Sequence, residues 1–261
     1  MDKDFRPLLI AVSDVHLRSP DDERAQLLCG LLEQALAWRP QVFLLLGDIF
    51  DFCIGGPTYY RKRYEQLFSC MQRLGSAGTR VLFVEGNHEF SMQKFGLSSV
   101  EICAAESTQL EIDGTTIAVR HGDLLRAPPS YKIFRTVLKS EIVRATAAAM
   151  PARLFESFAL SHAKHSRARD VYRTLDLESL MRAAAGWLDG AGAKYGIFGH
   201  FHVPYAEPAV EWGGHGGGTI LSMDSWDKPN ALVYCRAGFT RLIRGGGEWT
   251  QIPMQRYLSP K

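Results

Sequence analysis

Short, continuously apolar runs alternate along this chain with longer stretches of helical spacing. Leu8 to Val12, Val42 to Leu46, Val81 to Val84 and Tyr195 to Phe198 have the length and composition of strands buried on both faces. Each leads into polar residues: Ser13-Asp14-Val15-His16, Gly47-Asp48-Ile49-Phe50-Asp51, Gly86-Asn87-His88-Glu89 and Gly199-His200-Phe201-His202. The pattern predicts parallel strands with polar loops at their carboxyl ends. In open α/β sheets ligands collect at that edge, because the connecting loops splay apart there.

Between the strands the period changes. Leu27, Leu28, Leu31, Leu32, Ala35 and Leu36 form a helical stripe that opens at the acidic Pro20-Asp21-Asp22-Glu23 and stops at Pro40. Tyr60, Tyr64, Leu67, Phe68, Met71 and Leu74 repeat it over 58–75, with Gly75 as the stop. A short helix is expected near 97–105. Asp113-Gly114, flanked by Gln109 to Ile112 and Thr115 to Val119, predicts a hairpin whose second strand ends in His121-Gly122-Asp123.

From about 129 to 185 helices replace strands, the last of them near 177–189. Beyond His202, short β-rich runs such as Thr219 to Met223 and Ala231 to Cys235 read as an antiparallel meander. With no repeat of fixed period and no low-complexity linker, the expectation is one α/β domain over residues 1–261, carrying a helical insertion at about 126–175.

Composition changes this picture in two places. Overall, 261 residues with 46% hydrophobic and 22% charged positions can bury a full core, and a net charge of +2 gives no reason to expect nucleic acid. Residues 126–173, however, hold ten basic side chains against three acidic ones, interleaved with Phe134, Phe155 and Phe158. The insertion is therefore both basic and amphipathic. The five cysteines lack a C-x-x-C pair, which argues against a disulfide framework or a cysteine zinc site and fits a reducing cytosol. No secretory leader pattern and no apolar run of roughly 18 residues is present. A cytoplasmic protein, at most peripheral to the inner membrane, is expected.

The polar tips carry the chemistry. In Asp14-x-His16 and His200-x-His202 the members of each pair are two apart, so an extended backbone would aim both side chains the same way. Carboxylate, imidazole and amide oxygen make a mixed donor set suited to Mn²⁺, Fe²⁺, Zn²⁺ or Co²⁺. A lone histidine would more often be structural. His162 and His165, on a basic helical face with no motif around them, are read as solvated.

The five tips, in this order, resemble the motifs of the calcineurin-like metallophosphoesterases. The resemblance implies a four-layer αββα sandwich and a dinuclear site. Asp14, His16, Asp48 and His202 would hold one ion, and Asp48, Asn87, His121 and His200 the other, with Asp48 bridging. It further implies a role for His88 at the transition state or leaving oxygen, with Asp51 supporting it from behind.

Tyr131-Lys132-x-Phe134-Arg135, the basic insertion ending near Ser166-Arg167 and Leu221-x-x-x-Ser225-Trp226 resemble one branch, the UDP-2,3-diacylglucosamine pyrophosphohydrolases of lipid A synthesis. In that branch the insertion is a lid over acyl chains. The resemblance implies two divalent ions, Mn²⁺ first among them, and an anionic nucleotide-lipid substrate contacted by Tyr131, Lys132, Phe134, Arg135 and Arg167. It also implies peripheral membrane contact and no nucleic-acid partner. His88 and Val203 stand where the branch usually carries arginine, which leaves a broader phosphodiesterase or phosphatase open.

Overall fold

Side-chain alternation along the strands decides the layering. In β1 (Leu9–Val12), Ile10 and Val12 enter one apolar cluster while Leu9 and Ala11 enter another on the opposite face. β2 (Val42–Leu46) and β4 (Arg80–Val84) divide in the same way, with Phe43, Leu45, Val81 and Phe83 on the first face and Leu44, Leu46, Leu82 and Val84 on the second. A sheet apolar on both faces must be covered twice.

The computed structural model describes residues 5–149 and 176–254 and shows how that requirement is met. The first face packs against α1 (Glu23–Trp38) and α3 (Glu65–Ser76), through Leu28, Leu31, Leu32, Leu67, Phe68, Met71 and Leu74. The second face packs against a second sheet, in which Leu110, Ile117, Val119, Ile197 and Leu221 point inward. The far side of that sheet is closed by α6 (Leu177–Ala191) through Leu180, Met181, Ala184 and Leu188. The order is helix, sheet, sheet, helix, the expected αββα sandwich.

The first sheet runs β14 (Glu248–Pro253), β13 (Gly238–Gly245), β12 (Asn230–Cys235), β1, β2, β4 and β6 (Val100–Cys103). Its β1, β2, β4 and β6 are parallel. The second runs β10 (Ala206–Pro208), β11 (Thr219–Ser222), β9 (Tyr195–Phe198), β8 (Thr115–Arg120) and β7 (Thr108–Ile112). The Asp113-Gly114 hairpin forms as expected, between β7 and β8, and β3 (Cys53–Ile54) and β5 (Glu89–Phe90) form a separate two-stranded parallel pair.

Three expectations change. The helix near 97–105 is replaced by β6, because Val100-Glu101-Ile102 has period 2 rather than 3.6 and Glu101 pairs across the edge with Arg80 at 2.8 Å. The 58–75 helix is divided at Tyr64 into α2 (Thr58–Arg63) and α3. The C-terminal meander is restricted to β12, β13 and β14; β11 joins the other sheet, parallel to β9.

Residues 129–149 are helical, as α4 (Pro129–Leu138) and α5 (Glu141–Ala149). The expectations placed on Phe155, Phe158, His162, His165 and Arg167 lie outside the described residues. Among those described, no helix is long and apolar enough to cross a membrane.

Phe83 is fully buried between the first sheet and α3. Truncating Phe83→Ala is expected to cost about 3–5 kcal/mol of unfolding free energy, read by urea denaturation with the slope unchanged.

Candidate metal centre

β1, β2 and β4 end at one edge of the first sheet, and β8 and β9, parallel to each other, end beside it on the second. Main-chain hydrogen bonds stitch the tips together: Asp14 N–H to the Gly47 carbonyl at 3.1 Å, His16 N–H to Asp48 at 2.9 Å and Gly199 N–H to His121 at 2.8 Å. The backbone at the tips is not extended. Asp14, His16, Asp48, His200 and His202 adopt φ of 53°, 52°, 52°, 68° and 57°. The members of each pair thus converge through left-handed turns, not through strand alternation. Each such residue costs roughly 1–2 kcal/mol relative to the right-handed conformation. Strain of this kind persists only where its surroundings enforce it.

The convergence brings candidate ligand atoms within 4.8 Å of one another in three groups: Asp14, His16 and His202; His16, Asp48 and His88; Asp48, His121 and His200. Asp48 and His16 each belong to two. His202 Nε2 lies 3.2 Å from Asp14 Oδ1, His121 Nε2 lies 3.4 Å from Asp48 Oδ2, and His88 Nε2 lies 3.7 Å from that same oxygen. Asn87 Oδ1 is 3.1 Å from His121 Nε2.

Ring orientation follows from carbonyls behind the pocket. His121 Nδ1 is 2.9 Å from the Leu46 carbonyl and His88 Nδ1 is 2.6 Å from that of Asp51. A carbonyl only accepts, so each Nδ1 carries the proton and each Nε2 faces inward. For His121, Nε2 is the atom able to bind a cation. The support expected from Asp51 for His88 comes from its main chain; its carboxylate instead lies 3.9 Å from His16 Nδ1.

The carboxylates and imidazoles of the pocket set one another's charge. Burial alone would raise Asp14, yet the His202 hydrogen bond and the charges of His121 and His202 hold it at about 2. Asp48 is likewise held well below the usual carboxylate range against its burial, by His121 and His88. Burial disfavours charge on His121, but Asp48 and Asp14 outweigh it and raise the ring to about 10. His200 goes the other way, pressed down to about 4 by burial and by His121. Two ionised carboxylates, several inward imidazoles and an amide oxygen form a hard-to-borderline donor set without thiolates, which fits divalent ions.

Glu89 received no role from the sequence, although it stands beside His88 in the same tip. It is fully buried, and its carboxylate accepts from the N–H groups of Asp48 (2.8 Å), Gly86 (2.9 Å) and Phe50 (2.9 Å). One side chain therefore ties two tips together. Burial and the nearby Asp48 carboxylate push its pKa up to about 7. Ser13, at the start of the first tip, donates its hydroxyl to Asp14 Oδ2 at 2.6 Å, a role its position alone does not specify. The signal available for both was a polar residue at the end of an otherwise apolar run.

The residues expected on substrate divide. Arg135 Nε lies 2.6 Å from Asp123 Oδ2, and the Tyr131 hydroxyl donates to that oxygen at 3.2 Å. Both hold α4 against the β8 tip. Lys139, which caps the C-terminus of the same helix, reaches the buried Glu85 at 3.2 Å. Lys132 and Phe134 are exposed, beside Ile133 and Val137.

A sequence model of the calcineurin-like phosphoesterase family matches residues 8–204, a span that contains every one of these tips. The chain belongs to this family. As a calcineurin-like phosphoesterase it is a metal-dependent hydrolase of phosphate esters, and its Asp and His clusters are those of a dinuclear divalent site. It is 28% identical to a UDP-2,3-diacylglucosamine hydrolase of Ralstonia nicotianae, over 90% of this chain and 88% of the relative. A UDP-2,3-diacylglucosamine hydrolase of Klebsiella pneumoniae is 24% identical over 74% of this chain and 81% of its own. A solved dimetal phosphatase of Danio rerio shares 13% identity at a TM-score of 0.45, covering 95% of this chain and 100% of that one.

Two outcomes follow for this phosphoesterase. A Cβ at Gly86 would sit 2.2 Å from Asp48 Oδ1, so Gly86→Ala is expected to displace that carboxylate and reduce bound metal, measured by elemental analysis of folded protein. Because metal-free His121 stays protonated up to about 10, ion uptake must expel its proton. Affinity should fall as pH falls, and calorimetry of Mn²⁺ binding in buffers of different ionisation enthalpy should show proton release near neutrality.

Proposed function

We propose that this phosphoesterase hydrolyses UDP-2,3-diacylglucosamine to UMP and 2,3-diacylglucosamine 1-phosphate. The observation that carries the reading is the pairing of an Asp48-centred site with relatives named for that substrate across most of the chain. In this reading Asp14, His16, Asp48 and His202 hold one ion and Asp48, Asn87, His121 and His200 the other, with Mn²⁺ as the working metal. Bound together, two such ions supply an activated water and a clamp on the phosphoryl oxygens.

The chain's own groups do the rest. His88 is fixed through Nδ1, so its Nε2 can donate toward the reacting phosphoryl group only when the ring is doubly protonated. Burial opposes that charged form, but Asp48 and the Asp51 carbonyl favour it and raise the ring above its ordinary pKa. His88 thereby offers at this position a positive donor, where the lipid A branch has arginine. Lys132 and Phe134 lie on the outer side of α4 and suit a diphosphate and an acyl chain, while Arg135 and Tyr131 act by seating the helix on Asp123. Ile133, Phe134 and Val137 are exposed on α4 with Lys132, and Ile142 is exposed on α5, apolar surface that suits shallow peripheral contact with an anionic bilayer on the cytoplasmic side. The exchanged residues at His88 and Val203 favour, as a second reading, a phosphodiesterase of wider scope.

Incubation with UDP-2,3-diacylglucosamine and Mn²⁺ should release UMP. Cleavage of an aryl phosphodiester without UMP from the lipid would select the second reading. His88→Ala is expected to lower kcat by about 10²–10⁴-fold with metal content unchanged. Asp48→Asn should lose both metal and activity.

A further inference from the structure

α1 and α3 lie side by side on the outer face of the first sheet, and each carries one cysteine into their shared contact. Cys29 and Cys70 are 8% and 4% exposed, and their thiols are hydrogen-bonded to each other. Arg73, one helical turn beyond Cys70, places Nη2 3.4 Å from its sulfur while also pairing with Glu33 of α1. Nothing in the metal centre uses this group. Among the other cysteines, Cys53 is fully buried, and that burial, with the nearby Glu89 and Glu85 charges, pushes its thiol well up.

We propose that Cys29 and Cys70 are an oxidative modification site, a dithiol that a small peroxide converts into a disulfide joining α1 to α3. Arg73 is the cation that steadies the Cys70 thiolate, and Cys29 is the resolving thiol. The hydrogen bond from Cys29 and the Arg73 charge, against burial, bring Cys70 down to about 7. The same hydrogen bond, with burial, pushes Cys29 up, so the shared proton resides there.

The chemistry balances. The Cys70 thiolate attacks one oxygen of hydrogen peroxide; the S–O bond forms, the O–O bond breaks, and the departing hydroxide becomes water by taking up the proton that Cys70 gave to solvent on ionising. The Cys29 sulfur then attacks the Cys70 sulfenic acid; the S–S bond forms, the S–O bond breaks, and the hydroxyl leaves as water with the Cys29 proton. The two thiols lose two electrons and the peroxide becomes two waters. The oxidant class is set by access. The attacking Cys70 is only 4% exposed, beside the largely exposed Arg73, and the cavity that Cys29 borders holds about 20 Å³, so a molecule near the size of water is admitted and glutathione disulfide is not.

The test treats full-length protein with hydrogen peroxide, blocks remaining thiols with iodoacetamide and maps peptides without reduction. The expected result is a Cys29–Cys70 linkage, lighter by two hydrogens, reversed by dithiothreitol and accompanied by a rise in the thermal midpoint. Its rate should climb with pH and level off above about pH 7, where an ordinary thiol would still be gaining thiolate. Cys29→Ser should lose the linkage and accumulate a dimedone-reactive sulfenic acid at Cys70; Arg73→Gln should slow the step in protein of unchanged melting behaviour. The proposal is overturned if wild-type Cys29 and Cys70 stay reduced at a peroxide dose that has oxidised Cys103 or Cys235, or if they link equally fast with glutathione disulfide.

Discussion

A carboxylate with no access to water must be matched by positive charge or by hydrogen-bond donors, and Asp48 is the point where this requirement is concentrated. It is buried at the end of a central parallel strand, accepts the His88 N–H at 3.0 Å, and faces the rings of His88 and His121. Glu89, itself without solvent, fixes the backbone on either side of it. The close approach of Gly47 and Gly86 allows this, since a side chain at either would strike His121 or Asp48. Other parts of the pocket are arranged around the same demand.

The demand extends to the left-handed turns. Five residues at the tips accept an unfavourable backbone conformation so that short side chains from separate strands can reach one small volume. What offsets the strain is the sandwich beneath: strands apolar on both faces, covered by α1 and α3 on one side and by the second sheet on the other. The rigidity of that core is what makes the geometry of the pocket possible.

Much of this was legible in the sequence, for definite physical reasons. Unbroken apolar runs as short as Val42 to Leu46, bounded by Pro40 and Gly47, read as strands covered on both faces, and polar residues end them at one edge of the sheet. Asp113-Gly114 specified its hairpin without tertiary help. Other features depended on contacts that the chain does not advertise. Val100 to Cys103 is a strand because β4 offers it an edge, and Arg135 finds a carboxylate twelve residues earlier. Glu89 and Ser13 act through hydrogen bonds to the backbones or carboxylates of neighbouring tips, and no spacing rule reveals such partners.

The seating of α4 has a mechanical consequence. Its two anchors, Asp123 and Glu85, are each two residues from a tip donor, His121 on one strand and Asn87 on the other. Lifting the helix would therefore pull on the two segments that carry those tips, so its posture is set from beneath by the same loops that shape the pocket.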